Sequence, residues 1–151
     1  MRRRAVAAPI GVIVAEPPAR YLVQAPMVVD SSVICAVLFD EINRDEAVQQ
    51  LAHRRLLAPD LLDHEIVNVA LNKRRQGWPS TSIEQALADY ADYTIELLPC
   101  EQKQQFALAE RYTLSAYDAA YLWLAAELKA PLATFDRKLG AAARKHLGAL
   151  E

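Results

Sequence analysis

Glycine and cysteine are both scarce in this chain, with four and two copies among 151 residues. So few glycines leave no GxGxxG fingerprint and no Walker A loop, which removes the common phosphate-cradling turns. Cys35 and Cys100 form no CxxC pair, so no zinc site is indicated. One disulfide between them is formally possible, but two free thiols in a reducing compartment is the simpler reading. His53, His64 and His146 are scattered, without HxH or HExxH spacing, and no GxSxG elbow is present. A strong basic charge is also missing. Lys and Arg total 17 against 19 Asp and Glu, a formal net charge of −2, so any grip on nucleic acid must come from local patches.

What the chain does have is apolar mass. Hydrophobic residues make up 53% and aromatics only 7%, so one core built mainly from Leu, Ala, Val and Ile is expected. The length suits a single domain. Residues 1–26 are the odd stretch: Arg2-Arg3-Arg4, an apolar run from Ala5 to Ala15, then Glu16-Pro17-Pro18. Basic, then apolar, then small residues resemble a secretory signal. Pro9 and Gly11 interrupt the run, however, and it is too short to span a bilayer. The expectation is therefore an N-terminal extension over 1–26, poorly ordered or a mis-assigned start, ahead of a domain over 27–151.

From Met27 onward, short apolar runs alternate with helical patterns. Strands are expected at Met27–Val29, Leu56–Ala58, Thr94–Leu98 and Leu132–Thr134. Helices are expected between them, with Ser31 or Ser32 capping the first and Asp60 capping the one that ends near Arg75. Gly77-Trp78-Pro79 should break that helix, and Trp78 is expected as a surface or partner contact. Strands alternating with helices predict an α/β fold with a parallel sheet covered on both faces. In such sheets, ligands bind beyond the carboxyl ends of the strands.

Four acids stand at those places. Asp30 and Asp136 each follow a strand-like run, whereas Glu65 and Asp118 sit near the starts of helices. Gathered carboxylates repel unless a cation holds them, which points to Mg²⁺, with Mn²⁺ able to substitute. Asp30, Asp118 and Asp136 each have an ordinary alternative as helix-capping residues. Glu65 is harder to explain that way, because it lies inside an apolar helix with Asn68 and Asn72 on the same face. His64 projects about 100° away from Glu65 on that helix and is not expected as a ligand. Lys73-Arg74-Arg75 is the densest basic cluster of the domain and a candidate for phosphate contact, with a solvated helix end as the plain alternative.

The segments Val28-Val29-Asp30-Ser31-Ser32, Asp118-Ala119-Ala120-Tyr121-Leu122-Trp123-Leu124-Ala125 and Pro131-Leu132-Ala133-Thr134-Phe135-Asp136, together with helical Glu65, resemble the PIN-domain nucleases, most nearly the VapC-type toxins. The resemblance covers about residues 27–147 and implies a PIN-like three-layer α/β/α fold with a central parallel sheet of four to five strands. It further implies a Mg²⁺-dependent endoribonuclease, the toxin of a type II toxin–antitoxin pair. Such a protein would be cytoplasmic and a homodimer, cleave cellular RNA, and be neutralised by a small antitoxin. Carried over by position, Asp30, Glu65, Asp118 and Asp136 are the catalytic and metal-binding acids, with Ser32 and Thr134 as supporting polar residues; Asn68 joins them from the helix pattern. The chain departs from the family in its long start and in the short stretch after its last helix. An aspartyl-nucleophile phosphatase is a rival, but it wants a second Asp where Ser32 stands. The other rival is a PIN-like module that binds RNA or protein without cutting.

Overall fold

The computed structural model describes Ala15 and residues 24–150. Of the tail, Ala15 and residues 24–26 are described, and the expectations for the rest of it fall outside the described residues. Four strands form one sheet in the order β3-β2-β1-β4, with β1 at Ala25–Val29, β2 at Arg54–Pro59, β3 at Ile95–Leu98 and β4 at Leu132–Ala133. All pairings are parallel: Met27 lies opposite Leu56, Val28 opposite Leu132, and Leu56 opposite Ile95. The α/β expectation holds, at the lower end of the expected four to five strands. Among the described residues, no strand follows the last helix.

β1 starts two residues earlier than the apolar run suggested, and it includes Pro26. A proline in a central strand would cost a ladder bond. Here β4 pairs only with Val28 and Val29, so at Pro26 the strand has β2 on one side and, among the described residues, no strand partner on the other.

Seven helices flank the sheet among the described residues. They are α1 (Ser31–Leu38), α2 (Arg44–Leu51), α3 (Leu62–Arg75), α4 (Ser80–Asp92), α5 (Gln102–Tyr112), α6 (Ala116–Leu128) and α7 (Arg137–Leu147). Chain order and handedness assign their layers. The steps β1→β2→β3 move one way along the sheet, so right-handed crossovers put α1–α4 on one face. The step β3→β4 runs back across it, so α5 and α6 cover the other. Packing follows this division: α1, α3 and α4 touch one another, α5 and α7 both touch α6, and α6 lies on β1, β2 and β4.

The core is the aliphatic one that composition required, with Val28, Val29, Ile34, Leu62, Ile66, Leu122 and Leu139 all buried. Helix α6 buries Ala119, Ala120, Tyr121, Leu122, Leu124 and Ala125, apolar nearly all round, as befits a helix enclosed by its neighbours. Two capping expectations fail. Leu61, not Asp60, occupies the N-cap of α3, and no side chain caps it. Ser31 and Ser32 both lie inside the first turn of α1, their hydroxyls committed to acids instead. Trp78 is also not a free surface ring. It meets Phe39 edge-to-face at 5.8 Å and packs against the core. Gly77, at φ +96°, supplies the left-handed turn that ends α3, as expected of the helix breaker. Cys35 and Cys100 are free thiols.

Ile66 is wholly buried one residue after Glu65, so it anchors the helix that presents the acid. Ile66→Ala should lower unfolding stability by about 2–5 kcal/mol. Urea denaturation measures this, and a loss under about 1 kcal/mol would mean that α3 is not held by this contact.

Candidate active site

Asp30 is the only charged or polar residue buried among the described residues, at 4% exposure. It stands at the carboxyl end of β1, where its N–H donates to the Ala133 carbonyl at 3.0 Å and ties the strand end to β4. It occupies the N-cap of α1, yet its side chain makes no capping bond. Oδ2 instead accepts hydrogen bonds from Ser32 Oγ at 2.7 Å and Thr134 Oγ1 at 2.8 Å. Each hydroxyl is in turn oriented by a backbone donor: Phe135 N–H reaches Ser32 Oγ at 2.9 Å, and Asp136 N–H reaches Thr134 Oγ1 at 3.0 Å. The two hydroxyls therefore have little choice but to point their protons at Asp30. This compensates a buried carboxylate that would otherwise be costly. No hydrogen-bond donor among the described residues reaches Oδ1.

The other three acids come from three further elements. Glu65 lies in the first turn of α3, where Tyr121 OH donates to Oε1 at 2.7 Å and Ser31 Oγ to Oε2 at 3.1 Å. Asp118 lies in the first turn of α6, whose cap is Ser115, accepting from Asp118 N–H at 3.0 Å. Asp136 caps α7, with Oδ1 accepting from Leu139 N–H at 2.7 Å. Of the three acids with an ordinary capping explanation, Asp136 caps its helix with its side chain, Asp118 joins the Ser115 cap, and Asp30 makes no side-chain capping bond.

The carboxylates feel one another. Burial raises Glu65 above its ordinary 4.5; the hydroxyls of Tyr121 and Ser31 pull it back, and Asp30 and Asp118 push it further up. Burial likewise raises Asp118 above 3.8, helped by Asp136 and Asp30 and opposed by Ser115 and Lys138. These mutual effects place all four acids in one electrostatic neighbourhood. Burial and the nearby acids also push the Cys35 thiol up to about 12, so it is inert as a nucleophile. An acid whose folded pKa is raised favours the native state only while protonated. The stability it gives is full below its unfolded pKa and is lost as pH rises through the folded value. Ionising Glu65 and Asp118 therefore comes at a cost to the fold.

The donor chemistry fits a hard divalent cation. Every candidate ligand is oxygen, with no thiolate or imidazole in the set. The acids do not close into a cage: among the described residues no group of three Asp, Glu, His or Cys side chains encloses an ion-sized space. Mg²⁺ does not need one, because it keeps several waters and takes one or two carboxylates plus substrate oxygens. Asp30, Glu65, Asp118 and Asp136 are the candidates to hold it.

The weaker candidates divide. Asn68 lines a cleft of about 430 Å³ together with Glu65, Asn72 and Tyr117. His64 lines the same cleft, although helical geometry had set it aside. The basic cluster is committed elsewhere. Lys73 Nζ pairs with Glu41 at 3.4 Å and sits 4.9 Å from the centre of the Trp78 ring. Arg74 Nη1 donates to the Trp78 carbonyl at 2.9 Å, and Arg75 Nη1 donates to Asn72 Oδ1 at 3.2 Å. Lys73 also lies eight residues past Glu65, about 12 Å along the helix. Sequence reasoning missed Ser31 and Tyr121 as partners of Glu65. Tyr121 had a signal: it is three residues after Asp118 and so shares its helix face.

Comparison with known proteins gives three agreeing results. The PIN domain family profile matches residues 27–145. Ribonuclease VapC3 of Pyrobaculum aerophilum is 29% identical over 119 residues, covering 75% of this chain and 91% of that protein. The crystal structure of PAE2754 from Pyrobaculum aerophilum superposes with a TM-score of 0.59 at 20% identity, covering 82% of this chain and 93% of that one. At that identity the superposition speaks for the fold alone, and the fold is the one built above from strand order and crossovers. The chain belongs to the PIN domain family.

Proposed function

We propose that this protein is a metal-dependent endoribonuclease of VapC type, the toxin of a toxin–antitoxin pair. The observation that carries the reading is the buried Asp30 carboxylate, held by Ser32 and Thr134 amid three further acids at the carboxyl edge of a PIN-family sheet. A relative named as a ribonuclease, matched over most of both chains, supports the choice of RNA.

Asp30, Asp118 and Asp136 serve as the direct ligands. A bound Mg²⁺ or Mn²⁺ would neutralise phosphate charge and lower the pKa of a water. The protein's own groups do the rest. Ser32 and Thr134 donate to Asp30 Oδ2 and hold its carboxyl group in place. Tyr121 and Ser31 fix both oxygens of Glu65, which then orients the attacking water. Its raised pKa brings the carboxylate closer to the range where it accepts a proton from that water. The two free thiols suit a reducing cytoplasm, and among the described residues no helix is long and apolar enough to cross a membrane.

Cleavage of single-stranded RNA should be lost in EDTA and restored by Mg²⁺ or Mn²⁺. Asp30→Asn and Asp118→Asn should each reduce it by at least about 100-fold, the scale of losing a charge aimed at the reacting centre. Thr134→Val should cost about 10–100-fold, as expected for a partner that orients a ligand. Circular dichroism should show the fold retained in all three. Full cleavage in excess chelator would overturn the proposal, and a folded protein that binds no Mn²⁺ would favour a silent binding module.

The reading also includes a second copy of the chain and a small inhibitory antitoxin, whose Arg or Lys would compete with metal for the acids. Light scattering at micromolar concentration should give twice the chain mass, and the encoded neighbour protein, added in equal amount, should stop cleavage. A monomer whose cleavage the neighbour leaves intact would remove this part of the proposal.

A further inference from the structure

The acids are flanked by two hollows of opposite chemistry, and neither has a role in the site as described so far. The first, about 310 Å³, is lined by Thr134 and Asp136 together with Arg137 and Arg144. The second, about 430 Å³, is lined by Glu65 together with His64, Asn68, Asn72 and Tyr117. Each hollow thus contains one of the four acids, Asp136 in the first and Glu65 in the second; Asp136 acts electrostatically on Asp118, and Asp118 on Glu65. We propose that a single RNA strand runs from one hollow to the other across the acids. Its phosphates lie on Arg137 and Arg144, and an unstacked base lies on Tyr117 within reach of Asn68 and Asn72. This rests on the ribonuclease reading and adds the path and polarity of recognition to it.

The arginine side grips without reading. Arg137 and Arg144 are seven residues apart on α7, two turns along one face, and both are exposed. Among the described residues neither side chain has a hydrogen bond or an ion pair. Free guanidinium groups beside an acidic site attract a polyanion that the carboxylates alone would repel, and their planar forks match phosphate oxygens. Backbone contacts of this kind carry no sequence information.

The tyrosine side reads. Tyr117 immediately precedes Asp118 and is 63% exposed, a large ring left in water at the mouth of a polar cleft. Stacking a base on such a ring contributes about 1–3 kcal/mol. It also requires a base freed from its own stack, which selects single strands, loops or ends over duplex. The amide of Asn68 offers a donor and an acceptor to a base edge. Asn72 has its Oδ1 engaged by Arg75, so it presents donors. Acceptor-rich base edges should therefore be favoured at this position.

Two measurements on the full chain separate this path from the reading beneath it. One is fluorescence anisotropy of a labelled single-stranded RNA with the Asp30→Asn protein. The other is steady-state cleavage by the wild type. Tyr117→Ala should weaken binding and raise KM by about tenfold, the middle of the stacking range, and Tyr117→Trp should recover most of that loss. Arg144→Gln should weaken binding of all sequences alike and reduce the slope of log affinity against log salt by about one. Asn68→Ala should relax the base preference at one fixed position in the sequenced product ends. All four substitutions are on exposed side chains, so thermal midpoints near wild type are expected. RNA bound along this path by a protein that never cuts would overturn the ribonuclease reading and leave the path standing. Cleavage and binding indifferent to both Tyr117→Ala and Arg144→Gln would overturn the path alone. So would a Tyr117→Ala loss confined to binding of an inhibitory protein.

Discussion

The site depends on a buried carboxyl group that two hydroxyls hold in place. Asp30 has almost no access to water, and its two hydroxyl donors come from opposite ends of the chain: Ser32 from α1 and Thr134 from the residue after β4. That pair closes the start of the domain onto its end. The same backbone that orients the hydroxyls, Phe135 N–H and Asp136 N–H, also delivers the next acid. Loss of either hydroxyl therefore does more than remove one bond. It leaves a buried charge short of a donor and frees the loop that carries Asp136.

Topology explains why the acids meet where they do. β1 is flanked by β2 and β4, and the chain leaves it in one direction and returns from the other. Crossovers on the two sides of β1 thus cover opposite faces, which opens a crevice beyond the carboxyl ends of β1 and β4. Asp30 and Asp136 stand at its rim. Helix α3, entering after β2, brings Glu65 from one layer, and α6 brings Asp118 and Tyr121 from the other. The Tyr121 hydroxyl bond to Glu65 therefore spans the two layers over the strand ends.

Much of this was legible in the sequence because it rests on local pattern. Apolar runs ending in Asp30 and Asp136 marked strand ends, and Glu65 was conspicuous inside an apolar helix. The fold class followed from alternation alone. What escaped depended on contacts remote in sequence. Ser31 and Ser32 looked like caps because serine before a helix commonly is one. Ser31 instead donates to Glu65, and Ser32 donates to Asp30 while accepting from the remote Phe135 N–H. Lys73-Arg74-Arg75 drew attention by density, yet Glu41, Trp78 and Asn72 absorb that charge. The unpaired Arg137 and Arg144 are separated by two turns and form no visible run. Tyr121 belongs to the core, and its buried hydroxyl needed a partner that the pattern could not name.

The account holds that the gathered acids strain the metal-free protein and that a divalent cation relieves the strain. Thermal midpoints measured across weakly acidic to neutral pH, with EDTA or with Mg²⁺, test this most directly. Because Glu65 and Asp118 have raised pKa values, the midpoint in EDTA should fall as pH rises through them, and Mg²⁺ should restore it at neutral pH. Glu65→Gln should flatten the fall in EDTA and shrink the gain from Mg²⁺. A wild-type midpoint that ignores both pH and Mg²⁺, or a Glu65→Gln protein that responds to both as the wild type does, would contradict the account.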